Sequence, residues 1–303
     1  MATLNEIKTY LIDLQQNICT ALETVDGKAK FISDKWTRAE GGGGDTRVIS
    51  NGNVYEKGGV NFSHVFGKLP EVIKTETTNA NFFDATGVSI VIHTQNPFVP
   101  IIHMNVRYFQ MKKEENSNEI VDCWFGGGID LSPAYPNEVD TKYFHEQLKA
   151  VCDKHDSSYY EKFKPWCDDY FTIQHRNEMR GVSGIFYDHL RPNETTSKSQ
   201  FFEFMQSVGN AFAPIYTEIS NRNKEKTYTK FNKEWQMIRR GRYAEFNLVY
   251  DRGTSFGLKS NGRVESILMS LPPQAIWQYN QQPLENSEEA KALAFFQPKN
   301  WIS

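Results

Sequence analysis

Apolar residues recur at two different periods along this chain, and each change of period marks an element. Near the N-terminus Leu4, Ile7, Leu11, Leu14 and Ile18 recur every three or four residues, with Glu6 and Asp13 between them. That spacing predicts an amphipathic core helix. From Ser89 to Tyr108 the period falls to two. The stretch SIVIHTQNPFVPIIHMNVRY reads as a strand, a proline-bearing turn and a second strand. Residues two apart share a face of a strand. Ile90 and Ile92 therefore share one face of the first arm, and Ile102, Met104, Val106 and Tyr108 share one face of the second. The opposite faces carry Ser89 and His93, then His103, Asn105 and Arg107.

Further elements follow. The hairpin ends at Met111, KKEENSNE (112–119) is a polar turn, and IVDCWFGGGIDLSP is a strand running into a triple glycine and Asp130. Residues 140–160 have helical spacing and include His145. The block KPWCDDYFTIQHRNEMRGVSGIFYDHL reads as strand-like halves around His175, and a Phe-rich helix follows it (Phe201, Phe202, Phe204, Met205, Val208, Phe212). Residues 243–251 alternate again and predict a strand, and Asn261-Gly262 favours a tight turn. The glycine-loaded stretch 39–67 predicts a mobile loop or a lid over a site. It lacks the spacing of a nucleotide loop. Strands joined by short turns with helices grouped around them predict one α+β domain over 1–303 with a largely antiparallel sheet.

Composition narrows the chemistry. Among 303 residues, 34 Lys and Arg face 37 Asp and Glu, so no basic field awaits nucleic acid. Arginines cluster locally at 239, 240 and 242, then at 252 and 263, which suits a small polyanion. Cys19, Cys123, Cys152 and Cys167 show no C-x-x-C spacing and read as structural thiols of a reducing compartment. The acidic residues of the first helix argue against a leader, and no apolar run approaches membrane-spanning length. The chain reads as cytoplasmic. The polar hairpin face then stands out: two imidazoles, an amide, a hydroxyl and a guanidinium, with no Lys or Glu, can move protons, bind a metal or hold a carboxylate.

The long blocks GVSIVIHTQNPFVPIIHMNVRYF, WFGGGIDLSP, KPWCDDYFTIQHRNEMRGVSGIFYDHL and RGRYAEFNLVYDRGTSFGLKSNGRVESILMSLPP, with the glycine-rich block around GGDTRVISNGNVYEKGGVNFSHV, resemble the oxygen-dependent coproporphyrinogen III oxidases. The resemblance implies a flat antiparallel sheet of about seven strands clad in helices on both faces. It also implies a homodimer formed through about residues 243–278. The implied reaction turns two propionates of coproporphyrinogen III into vinyl groups, with molecular oxygen as oxidant and carbon dioxide and hydrogen peroxide as products. His103 matches the family's proton donor, and Asp130 and Asp251 are candidates to engage a pyrrole N–H, with Arg252 as an anchor beside the latter. Ser89, Asn105, Val106 (through its backbone), Arg107, Asn261, Gly262 and Arg263 would contact substrate. No organic cofactor motif is visible, so the pyrroles would supply the electrons. His93, His103, His145 and His175 match positions that hold a divalent metal in some members. A metal-dependent oxygenase and a non-catalytic tetrapyrrole carrier are the other classes these residues could serve.

Overall fold

The computed structural model describes residues 2–70, 79–115, 117, 119–259 and 262–302. Helix α1 spans Leu4–Asp26. It opens on a capping box, in which the Thr3 side chain accepts from the Glu6 N–H while Glu6 accepts from the Thr3 N–H, and it stops at Gly27 with φ 71°. Its predicted stripe is buried at Ile7, Leu11, Leu14 and Ile18.

Strands β1 (Ile32–Thr37), β2 (Gly42–Ser50), β3 (Tyr55–Lys68), β4 (Phe82–Thr94), β5 (Ile101–Lys112) and β6 (Ile120–Ser132) follow in order, each antiparallel to the next. Helices α2 (Glu138–Asp153) and α3 (Tyr159–Tyr170) lead to a small ribbon of β7 (Thr172–Ile173) and β8 (Glu178–Met179). Strand β9 (Gly184–Leu190) then pairs with β6. The result is the expected α+β fold, a seven-stranded antiparallel sheet in the order β1-β2-β3-β4-β5-β6-β9. Helices α4 (Lys198–Asn223) and α5 (Lys230–Val249) are followed by the short α6 (Arg252–Lys259), α7 (Val264–Leu268) and α8 (Glu288–Leu293).

The two faces of the sheet differ. Ile90, Ile92, Ile102, Met104, Val106, Tyr108 and Ile129 point to one side and join α1 and α4 in the main core. The other side carries His103, Asn105 and Arg107 and is partly roofed by the segment after α5. Met269 seats its sulfur over Gly59, where a Cβ would lie 1.8 Å from it. Lys57 and His93 reach the carbonyls of Leu271 and Ser270.

Three expectations from the sequence change here. The glycine-rich stretch is mostly strand rather than mobile loop, because its glycines admit side chains from elsewhere: Trp36 lies across Gly44, with ring atom Cζ2 2.7 Å from where a Cβ would sit. Residues 243–249 are helical. Their alternation coincides with a helical stripe that begins at Trp235 and buries Ile238, Arg239, Tyr243, Phe246 and Asn247, while Leu248 and Val249 are exposed. The first half of the block around His175 is also helix, since Tyr160, Phe163 and Cys167 are buried at spacings of three and four.

Candidate functional site

Antiparallel register assembles the site across β3–β6. Asn105 lies between Ser89 on β4 and Gly128 on β6, and Asn61 of β3 pairs with Ser89. Arg107 lies between Gly87 and Gly126, and His103 pairs with Asp130. All of these side chains share one face, and the flanking glycines keep that face low and flat. Beyond Arg107 the face ends in a run of stacked rings, Phe83, Phe109, Trp124 and His189, whose centroids are 5.6, 4.4 and 5.1 Å apart.

His103 Nδ1 lies 2.7 Å from Asp130 Oδ1. Asp130 is almost wholly buried and Arg180 grips it through Nε and Nη2, with contacts of 2.8–3.1 Å. Arg180 also donates to Asn247 Oδ1 at 2.8 Å, and Phe171 stacks on its guanidinium. Burial by itself would raise the Asp130 carboxyl pKa, but the Arg180 charge and the His103 contact outweigh it and hold the group below the usual carboxylate range. An ionised Asp130 must accept from Nδ1–H. This assigns the His103 tautomer and leaves Nε2, which has no hydrogen-bond partner among the described residues, for proton exchange on the open side.

Arg107 lies flat over Gly126, where a Cβ would come 2.9 Å from its Nε. Nη1 donates to Asn105 at 3.0 Å and Nη2 pairs with Asp188 at 2.9 Å. Arg263 is held by Asp34 and Ser266 above Thr46, in the same cross-strand row as Ser89 and Asn105. Thr46 and Asn105 are three strands apart, roughly 14 Å. The face thus has a fixed guanidinium at each end.

The other expected residues are placed as follows. The Val106 side chain is fully buried on the apolar face. Asp251 caps α6, accepting from the Thr254 N–H at 2.7 Å and from Tyr170 at 3.0 Å. Arg252 lies over the Tyr170 ring. Gly262 bonds back to Gly257 at 2.8 Å, and Asn261 lies outside the described residues.

The four histidines expected to share a metal are not brought together. His93 is buried, with Nε2 2.9 Å from the Ser270 carbonyl. His145 spends both ring nitrogens inside the core, on Tyr160 at 2.8 Å and on Val182 at 2.9 Å. His175 sits at the surface between Tyr250 and Glu245. Burial pulls His93 and His145 down to about 3. Among the described residues no three His, Cys, Asp or Glu side chains converge in a metal-ligand group, so this quartet does not fit a shared ion.

Arg180 and Asp188 were missed by sequence reasoning. They lie 50 residues from Asp130 and 81 from Arg107, and no local spacing signals a pairing made only by the tertiary fold.

A flat, polar sheet face with a carboxylate-oriented imidazole and a guanidinium at either end suits an extended, many-armed anion. The described residues include no helix long and apolar enough to cross a membrane. The model of the coproporphyrinogen III oxidase family, oxidoreductases of porphyrin and haem biosynthesis, matches residues 6–301, and this chain belongs to that family.

Proposed function

We propose that this protein carries out the oxygen-dependent oxidative decarboxylation of coproporphyrinogen III to protoporphyrinogen IX. For each of two propionates the Cα–carboxylate bond breaks to release carbon dioxide, and the β-carbon loses a hydride equivalent to leave a vinyl group. Molecular oxygen takes the hydride equivalent and a proton to become hydrogen peroxide. No organic cofactor is required in this scheme, since the two electrons that oxygen takes leave with the β-hydrogen and the electron-rich pyrrole assists their departure.

The observation that carries this reading is the His103–Asp130–Arg180 chain on the face shared with Arg107. His103 Nε2 holds and passes the proton, and Asp130 stabilises the imidazolium that exists between transfers. Arg107, Asn105 and Ser89 hold one edge of the macrocycle, and Arg263 a carboxylate at the other. A guanidinium suits both places because it stays charged when desolvated and offers a planar fork. Arg107 is already pinned by Asn105 and Asp188, so a carboxylate meets a cation that needs little reordering.

We further propose a cytoplasmic homodimer formed through about residues 243–278. Support comes from the apolar side chains exposed there, Leu248, Val249, Phe256, Leu258 and Val264, which a partner would cover. The test of the activity is direct. Purified protein in air-saturated buffer with no added cofactor should produce protoporphyrinogen IX, and under nitrogen it should produce none. Unchanged substrate in air, with folded protein, refutes the reading.

A further inference from the structure

A second polar feature lies two residue pairs beyond the His103–Asp130 pair. On the same face, Ile101 of β5 pairs with Ser132 of β6. There a small cavity is enclosed by Ile101, Ser132, Arg180, Gln236, Arg239 and Tyr243. Four of these residues bring orphaned groups. Ser132 Oγ, Gln236 Oε1, Tyr243 Oη, and Arg239 Nε and Nη2 are buried without a hydrogen-bond partner among the described residues. Ser132, Gln236 and Arg239 are each at least 95% buried. Buried polar groups left in this state are rare in folded proteins and each needs an occupant or an explanation.

The Arg239 edge is the informative one. Nε and Nη2 form the same side-on fork with which Arg180 grips Asp130 and Arg176 grips Glu245. On Arg239 only Nη1 is engaged, with Glu178 at 2.9 Å. Glu178 is shared with Arg242, which also contacts Glu245, which in turn holds Arg176. This continuous chain sets three guanidinium ions on two carboxylates, and Arg239 is its buried end. Water could fill the fork but would leave the surplus charge uncompensated. The space admits one small occupant, too little for a carboxylate or hydrogen carbonate.

We propose that this cavity binds a small monovalent anion of halide size, held by the Arg239 fork and by the Ser132 hydroxyl. The Gln236 amide is fixed by its Nε2 donating to the Thr94 carbonyl at 2.9 Å, so its Oε1 is available to accept from the Tyr243 hydroxyl. The cavity lies on the same face, beyond the His103–Asp130 pair, and shares Arg180 with it, but its occupant takes no part in the proposed reaction.

Crystals of the full chain soaked in sodium bromide, with diffraction recorded at the bromine absorption edge, test this directly. An anomalous peak in the Arg239 fork is expected. A peak there without anomalous signal, or none, means water at most and overturns the assignment. In solution, bromide and chloride should raise the melting temperature saturably compared with acetate at equal ionic strength. Ser132→Ala should shift the midpoint of that response about fivefold to higher halide, the loss of one hydrogen bond. An unchanged midpoint in Ser132→Ala overturns the site as drawn.

Discussion

Replacing Asp130 with Asn separates the two tasks assigned to its carboxylate. The substitution preserves shape but removes the charge between His103 and Arg180. The Arg180 side chain is only 2% exposed and loses its only carboxylate partner among the described residues. Breaking a buried ion pair by removing one member costs roughly 3–5 kcal/mol, a large part of a typical folding free energy. The same change leaves the His103 tautomer unpinned and its imidazolium unsupported, so turnover should fall by roughly 10²–10⁴, the usual share of a general acid. Stability is read from urea unfolding midpoints, and turnover from the fluorescence of the oxidised porphyrin product. A second variant, Asp130→Asn with Arg180→Met, removes the stranded cation. It should regain most of the lost stability while turnover stays low, because His103 still lacks its carboxylate. Stability within about 1 kcal/mol of the parent protein in Asp130→Asn would refute the buried-pair argument. Restored turnover in the double variant would show that Asp130 serves the fold and not the chemistry.

Five further outcomes are expected. Arg107→Lys keeps the charge but loses the planar fork, so it should lose activity at an unchanged melting temperature, with Arg107→Ala worse by roughly 1.5–3 kcal/mol. Asp188→Asn should raise KM more than it lowers kcat, with Asp188→Glu restoring part of the effect; unaltered KM would remove Asp188 as the residue that positions Arg107. His93 and His145 are neutral in the fold, with pKa values lowered from 6.5 to about 3, while the unfolded chain protonates them below 6.5. Stability should therefore fall with pH across that window by up to roughly 1.4 kcal/mol per unit for each histidine, and equal urea midpoints at pH 7 and 5 would contradict it. Because His145 has both ring nitrogens engaged, chelator-treated protein should keep its turnover, and His145→Ala should cost stability and not metal content by elemental analysis. Light scattering at micromolar concentration should report two chains, not a single 35.0 kDa chain.

The sequence alone determined what local periodicity can encode. The spacing of Leu4 to Ile18 gave α1, and the alternation from Ser89 to Tyr108 gave β4, β5 and the split between an apolar face and a chemical one. His103, Asn105 and Arg107 were legible because a strand puts every second residue on one side whatever its neighbours are. Short patterns are ambiguous wherever both periods fit. Residues 243–251 alternate over nine positions, yet the helical stripe from Trp235 onward decided their state, because burial of Tyr243 and Phe246 outweighs a local pattern. The glycine run looked mobile, and only the side chains of Trp36 and Met269 laid over it explain why it is sheet. The tertiary structure alone decided the pairings. The segment leading into β9 brings Arg180 to Asp130, and the pairing of β9 with β6 brings Asp188 to Arg107, while His93, His145 and His175 become buried or engaged in separate places. Charge pairing depends on distance in space, and chain separations of 50 and 81 residues carry no trace of it.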